Sequence, residues 1–320
     1  MNTNRVSRPH IVALALTVFA CAVAEANDLL VINNAGSPAV LRYNGATGAF
    51  VGKFTSFSGT GYSTAYGPDG NLYVGTSNNI SRYDGQTGAF LNVFVPATNG
   101  TTNPRPLDMT FGPDGNLYVT GGGNKPVWRY NGSTGQFIDA LTISTLGSQP
   151  GGVTFGADGD LYVADGFAVD RYNGTTGAFM NHFAGGGGLE SAGEVRFGLD
   201  GNLYVVGNSL LKFNGKTGTF ISSLSLIGSE SFAFGLDGNL YTSGFPGIDR
   251  YNTSGSLLNN FVPRGSGGLS GPGAIVFVPE PGMILAMVSL STILLRPRPN
   301  RRNRGAEQKG RFQNLEVVGH

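Results

Sequence analysis

The stretch 111-FGPDGNLYV-119 decides the fold, because the chain writes it nearly unchanged five times. The other copies are 66-YGPDGNLYV-74, 155-FGADGDLYV-163, 197-FGLDGNLYV-205 and 234-FGLDGNLYT-242. Their turn aspartates, Asp69, Asp114, Asp158, Asp200 and Asp237, are separated by 45, 44, 42 and 37 residues. A phrase recurring at that period builds a repeating object rather than a single catalytic centre. A second phrase keeps step with it: 42-RYNGATGAF-50, 82-RYDGQTGAF-90, 129-RYNGSTGQF-137, 171-RYNGTTGAF-179, 212-KFNGKTGTF-220 and a degenerate 250-RYNTSGS-256.

Both phrases are hairpin chemistry. In Gly112-Pro113-Asp114-Gly115, proline pre-sets the first turn dihedral, aspartate accepts local backbone hydrogen bonds and glycine tolerates positive φ. Asn131-Gly132 is a second turn signal. Short apolar runs flank these turns and predict four strands per period: A (Met109–Phe111), B (Leu117–Val119), C (Val127–Tyr130) and D (Phe137–Leu141). Four antiparallel strands in each unit of about 40–45 residues make a β-propeller blade. No 3.6-residue periodicity supports a helical solenoid. Trp128 is the single tryptophan, which disfavours the tryptophan-aspartate class.

Five copies of the first phrase accompany six of the second. The surplus is resolved at the ends. Asp28-Leu29-Leu30-Val31 matches strand B, and Gly273–Val278 matches strand A. The expected fold is therefore an all-β six-bladed propeller, closed by one C-terminal plus three N-terminal strands. Closure removes the open edges of a blade array.

The domain plan follows. Residues 1–26 read as a signal peptide, with Arg5 and Arg8, an apolar run Ile11–Val23 and the small-x-small site Ala24-Glu25-Ala26. Cys21, the single cysteine, falls inside it, so the mature domain has no disulfide. Residues 27–278 are the propeller and 279–304 a C-terminal signal with a membrane helix at 282–295. Residues 305–320 form a basic tail. A formal net charge of +1 argues against a nucleic-acid partner.

In an up-and-down blade the two repeated turns share one rim, and the B–C and D–A loops share the other. The repeated turns read as folding signals. The basic residues Arg42, Arg82, Arg129, Arg171, Lys212 and Arg250 are expected to pair with the turn aspartates. Asp158-Gly159-Asp160 falls short of the six to eight oxygens that calcium takes. Ligand recognition is expected on the variable rim, in the D–A loops Ala97–Pro106, Ser148–Gly152 and Ala184–Gly193, with Arg105, Glu190 and Tyr62 as binding candidates.

The repeated phrase resembles that of NHL-type, gluconolactonase/regucalcin-like and virginiamycin B lyase propellers, over roughly residues 28–278. In the gluconolactonase-like enzymes, the resemblance implies a divalent metal in the central channel. Asp108 and Glu194 are the candidates, since both stand three residues before the strand-A aromatic. The equivalents in other blades are Ser63, Gly152, Ser231 and Ala274. The lyase implies histidine chemistry, and the propeller holds only His182, expected on an outer D strand.

Val278-Pro279-Glu280-Pro281, followed by the apolar run Gly282–Leu295 and by Arg296, Arg298, Arg301, Arg302 and Arg304, resembles the PEP-CTERM sorting signal of Gram-negative bacteria. The run is about 21 Å long as a helix, with a positive-inside stop. The resemblance implies an exosortase-type enzyme as partner. It also implies anchoring in the inner membrane before sorting, then a cell-surface or extracellular location.

The leading expectation is an exported, membrane-sorted propeller acting as a binding or structural module of the cell envelope or extracellular matrix. Its partners would be the membrane and extracellular polysaccharide or protein, with no cofactor. No nucleophile–base pair is visible. The alternative is a periplasmic, metal-dependent gluconolactonase-like hydrolase or lyase with one divalent metal such as calcium.

Overall fold

The computed structural model describes residues 28–279, apart from 98–104, 122–125, 143–149, 225–228 and 246. The signal peptide, the C-terminal helix, Glu280, Pro281 and the basic tail lie outside the described residues. So does most of the Ala97–Pro106 loop. Among the described residues no helix is long and apolar enough to cross a membrane.

The strands assemble into six four-stranded antiparallel sheets. Blade one comprises Gly61–Tyr66, Leu72–Thr76, Ile80–Tyr83 and Phe90–Val95. Blade two comprises Pro106–Phe111, Leu117–Gly121, Pro126–Tyr130 and Phe137–Thr142. Blade three comprises Pro150–Phe155, Leu161–Asp165, Ala168–Tyr172 and Phe179–Gly185. Blade four comprises Val195–Phe197, Leu203–Val206, Leu210–Phe213 and Phe220–Leu224. Blade five comprises Ser229–Phe234, Leu240–Gly244, Gly247–Tyr251 and Leu257–Pro263. Blade six joins the two ends of the fold: Pro272–Phe277 pairs with Leu29–Asn33, followed by Ala39–Tyr43 and Phe50–Ser56. Leu29 stands opposite Phe277 and Val31 opposite Ile275, which is the one-plus-three closure read from the repeats. Neighbouring A strands touch one another around the axis.

Strand A is longer than its apolar run. It starts at Pro106, Pro150 and Pro272 in blades two, three and six, positions where proline's missing N–H costs the ladder nothing. A register shift between Pro106 and Asp108 lets the extension pair with Gly121. Pro106, Pro150–Gly152 and Ala184–Gly185 are therefore strand rather than D–A loop.

The repeated phrase makes specific contacts. Asp114 accepts from the Asn116 backbone N–H at 3.0 Å and, through Oδ2, from the Tyr118 hydroxyl at 3.0 Å. Burial pushes the Tyr118 hydroxyl up to about 12, so it stays protonated as a donor. The same Tyr–Asp bond recurs at Tyr73–Asp69, Tyr162–Asp158, Tyr204–Asp200 and Tyr241–Asp237. Each of these tyrosines meets the strand-A aromatic of the next blade edge-on: Tyr73–Phe111, Tyr118–Phe155, Tyr162–Phe197, Tyr204–Phe234 and Tyr241–Phe277. The phrase thus makes a turn and also stitches one blade to the next. Edge-to-face pairs add about 0.5–1.5 kcal/mol beyond their area. The two repeated turns touch on one rim. Gly115 takes φ +76, and a Cβ on Gly132 would lie 1.7 Å from its carbonyl oxygen, so no larger residue fits between them.

The basic ladder departs from expectation in two blades. Arg82, Arg171, Lys212 and Arg250 reach their turn aspartates. Arg129 instead takes Asp139, which stands directly across the C–D ladder and is nearer than the turn. Arg42 takes Asp28 at 2.5 Å, because blade six has no aspartate in the repeated turn and Asp28 stands just before its second strand.

Candidate functional site

A strands run along the central axis, so any residue at a fixed place in them forms a ring. The position three before the aromatic gives Ser63, Asp108, Gly152, Glu194, Ser231 and Ala274, and five of these six line a channel pocket of about 240 Å³. Tyr62, Thr64, Leu107, Gly151, Gly193, Arg196 and Ile275 complete the lining.

The side chains of this ring clasp neighbouring blades. Asp108 Oδ2 accepts from the Val153 N–H at 2.9 Å, and Glu194 Oε2 from the Phe232 N–H at 2.9 Å. Ser231 Oγ accepts from the Ile275 N–H at 3.4 Å. A carboxylate or hydroxyl therefore satisfies an inward-facing amide of the following strand.

The structure brings Asp108 and Glu194 together, and it places a third group between them. Arg196 is two residues past Glu194, on the same face of its strand by the two-residue period. Its guanidinium forks onto Asp108, Nη1 to Oδ2 and Nη2 to Oδ1, both at 2.7 Å. Nη2 also lies 2.8 Å from Glu194 Oε1. Nη1 donates to the Val195 carbonyl at 2.8 Å. The fork runs from blade four to blade two across blade three, whose ring residue is Gly152. A Cβ there would stand 2.5 Å from Gly193 O and 2.6 Å from Val195 N, so glycine also lets these two inner strands approach. Asp108 is 3% exposed, and Arg196 keeps 26% of its side chain accessible.

Desolvation pushes the Glu194 carboxyl up to about 7, with Arg196 opposing that shift and Asp108 adding to it. Burial works against the charge of Arg196, but Asp108 and Glu194 outweigh it and hold the guanidinium above its ordinary value. Two carboxylates in a channel suit a divalent ion in principle. Here a guanidinium already bridges them. Among the described residues no group of three or more His, Cys, Asp or Glu side chains forms a metal cluster. Asp158 and Asp160 likewise converge on Arg171, at 2.8 and 2.7 Å.

The three binding candidates separate. Tyr62 lines the pocket, and Arg105 lies over its ring at 5.3 Å and donates to its hydroxyl at 3.4 Å. Glu190 accepts from Asn208 Nδ2 at 3.0 Å and is not part of the lining. His182 lies on the outer strand of blade three, with Nδ1 2.6 Å from the buried Asp170 carboxylate. In blade five Asn260 makes the equivalent bond to Asp249 at 2.7 Å, which marks the pair as packing chemistry. Arg196 was missed in the sequence. Its signal was available: the corresponding residues are Ala65, Thr110, Thr154, Ala233 and Val276, so it alone is charged.

Neither a known protein family nor a curated protein matches the chain. Solved structures do. A virginiamycin B lyase from Staphylococcus aureus is 18% identical with a TM-score of 0.52, over 67% of this chain and 73% of its own. A gluconolactonase-like structure is 16% identical with a TM-score of 0.56, over 69% and 83%. A structure of a nidogen/laminin complex is 13% identical with a TM-score of 0.60, over 79% and 98%. At these identities the likeness establishes the six-bladed propeller fold.

Proposed function

We propose that the chain is an exported, membrane-sorted β-propeller that serves as a binding or structural module of the bacterial envelope or extracellular matrix. An exosortase-type enzyme would process it, and an extracellular polysaccharide or protein would be its partner. The observation that carries the binding half is Arg196. It occupies the place between Asp108 and Glu194 that a catalytic metal would need, while Tyr62 and Arg105 leave a polar and aromatic mouth above. The sorting half draws support from where the fold ends. The Val278 N–H is tied to Asp28 O at 2.9 Å, on the repeated-turn rim, and Pro279 follows at once. In this reading the repeated-turn rim faces the membrane and the variable rim faces outward.

Cell fractionation tests the sorting half. The newly exported full chain is expected in the inner-membrane fraction, and a version ending at Val278 is expected to be soluble. Equal solubility of the two forms rules the sorting reading out. The second reading is a metal-dependent hydrolase, favoured by the paired channel carboxylates. Turnover of a sugar lactone by the purified chain, abolished by a chelator, would establish it.

A further inference from the structure

Eight arginines lie among the described residues, and six of them hold carboxylates: Arg42, Arg82, Arg129, Arg171, Arg196 and Arg250. Arg105 and Arg264 are the two without a carboxylate partner among the described residues. They share three further properties. Both are exposed. Both sit in D–A connections on the variable rim: Arg105 precedes Pro106, which pairs with Gly121, and Arg264 follows Pro263, which pairs with Gly247. Both lie over an aromatic ring, Arg105 over Tyr62 at 5.3 Å and Arg264 over Phe245 at 4.7 Å. Phe245 is 67% exposed at the tip of the blade-five B–C turn, too open to be explained by packing. Phe167, 60% exposed, occupies the corresponding tip in blade three.

A guanidinium resting over a ring and lacking a carboxylate partner keeps N–H donors for a ligand. It matches a carboxylate bidentately, better than a lysine would. The neighbouring ring offers an apolar face. A uronic-acid sugar presents both complements on one residue, a carboxylate and a face of C–H bonds. The two Arg–aromatic pairs flank blades six and one from opposite sides, so a polymer of such sugars could engage both, and linked weak contacts multiply. The exposed rings are single and separated by blades, unlike the contiguous apolar core of a protein–protein interface.

We infer that the variable rim binds an acidic polysaccharide of uronate residues, gripped at Arg105–Tyr62 and Arg264–Phe245. This names the partner class of the binding surface proposed above and rests on that reading only for the polymer's presence outside the cell.

The test uses the detergent-solubilised full chain and four probes at equal ionic strength: polygalacturonate, alginate, methyl-esterified polygalacturonate and polyglutamate. Binding to polygalacturonate or alginate is expected, with at least a tenfold loss on methyl esterification and in the double variant R105Q/R264Q. The R105K/R264K pair keeps the charge and is expected to lose most of the same affinity. Because both side chains are exposed, the melting temperatures of all forms should coincide. Absence of binding to both acidic polysaccharides overturns the inference, as does equal binding by the double variant. Polyglutamate binding as tightly as polygalacturonate also overturns it, and points to an acidic protein partner. These outcomes are independent of whether the chain is sorted, which fractionation alone decides.

Discussion

Arg196 sets the character of the channel. Two inward carboxylates, one of them 3% exposed, would repel each other without it. Asp108 and Glu194 were legible in the sequence, because the repeat fixes register and register fixes which residues face the axis. The bridging role of Arg196 and the close approach at Gly152 were not, since each depends on contacts between strands of different blades. The raised Glu194 gives a pH signature. Its folded value of about 7 lies above its ordinary 4.5, so the folded chain holds that proton more tightly than the unfolded chain does. The resulting stability is complete below pH 4.5 and is lost as the pH climbs to about 7. Glu194→Gln keeps the neutral shape at every pH. Denaturant melts between pH 5 and 8 should show wild type falling relative to this variant, and parallel curves would contradict the assignment.

At the scale of elements, the nine-letter phrase was read correctly as a turn, but only half of its purpose was visible. The turn residues act locally, and local chemistry can be read from one copy. The Tyr118–Phe155 contact joins residues in different blades and needs the fold to exist. The basic ladder teaches the same lesson in reverse. Rim geometry points Arg129 at Asp114, yet the cross-strand neighbour Asp139 captures it. Both partners are partly exposed, so a coupling of about 0.5–1 kcal/mol is expected. A double-mutant cycle on Arg129→Met and Asp139→Asn should recover that coupling. The cycle of Arg129→Met with Asp114→Asn should give close to none, and the opposite ranking would refute the pairing.

For the whole molecule, closure is the feature on which everything else depends. Blade six takes its inner strand from residues 272–277 and its other three from 29–56, so the two ends of the propeller hold each other. Deleting Gly271–Val278 strips Leu29–Asn33 of its inner partner and Tyr241 of the Phe277 ring. The shortened chain should lose its cooperative thermal transition or melt well below the intact chain, and an unchanged melting temperature would refute the closure.

On the proposed reading the Arg196 guanidinium, bridging Asp108 and Glu194, takes the place of a metal in the channel. Calorimetric titration of the purified full chain with calcium, after treatment with a chelator, tests it most directly. Wild type is expected to show no stoichiometric binding. Arg196→Gln should acquire measurable affinity that Glu194→Gln removes when added to it. One tightly held divalent ion in the wild-type chain, lost on Glu194→Gln, would contradict the account and restore the metal-dependent enzyme.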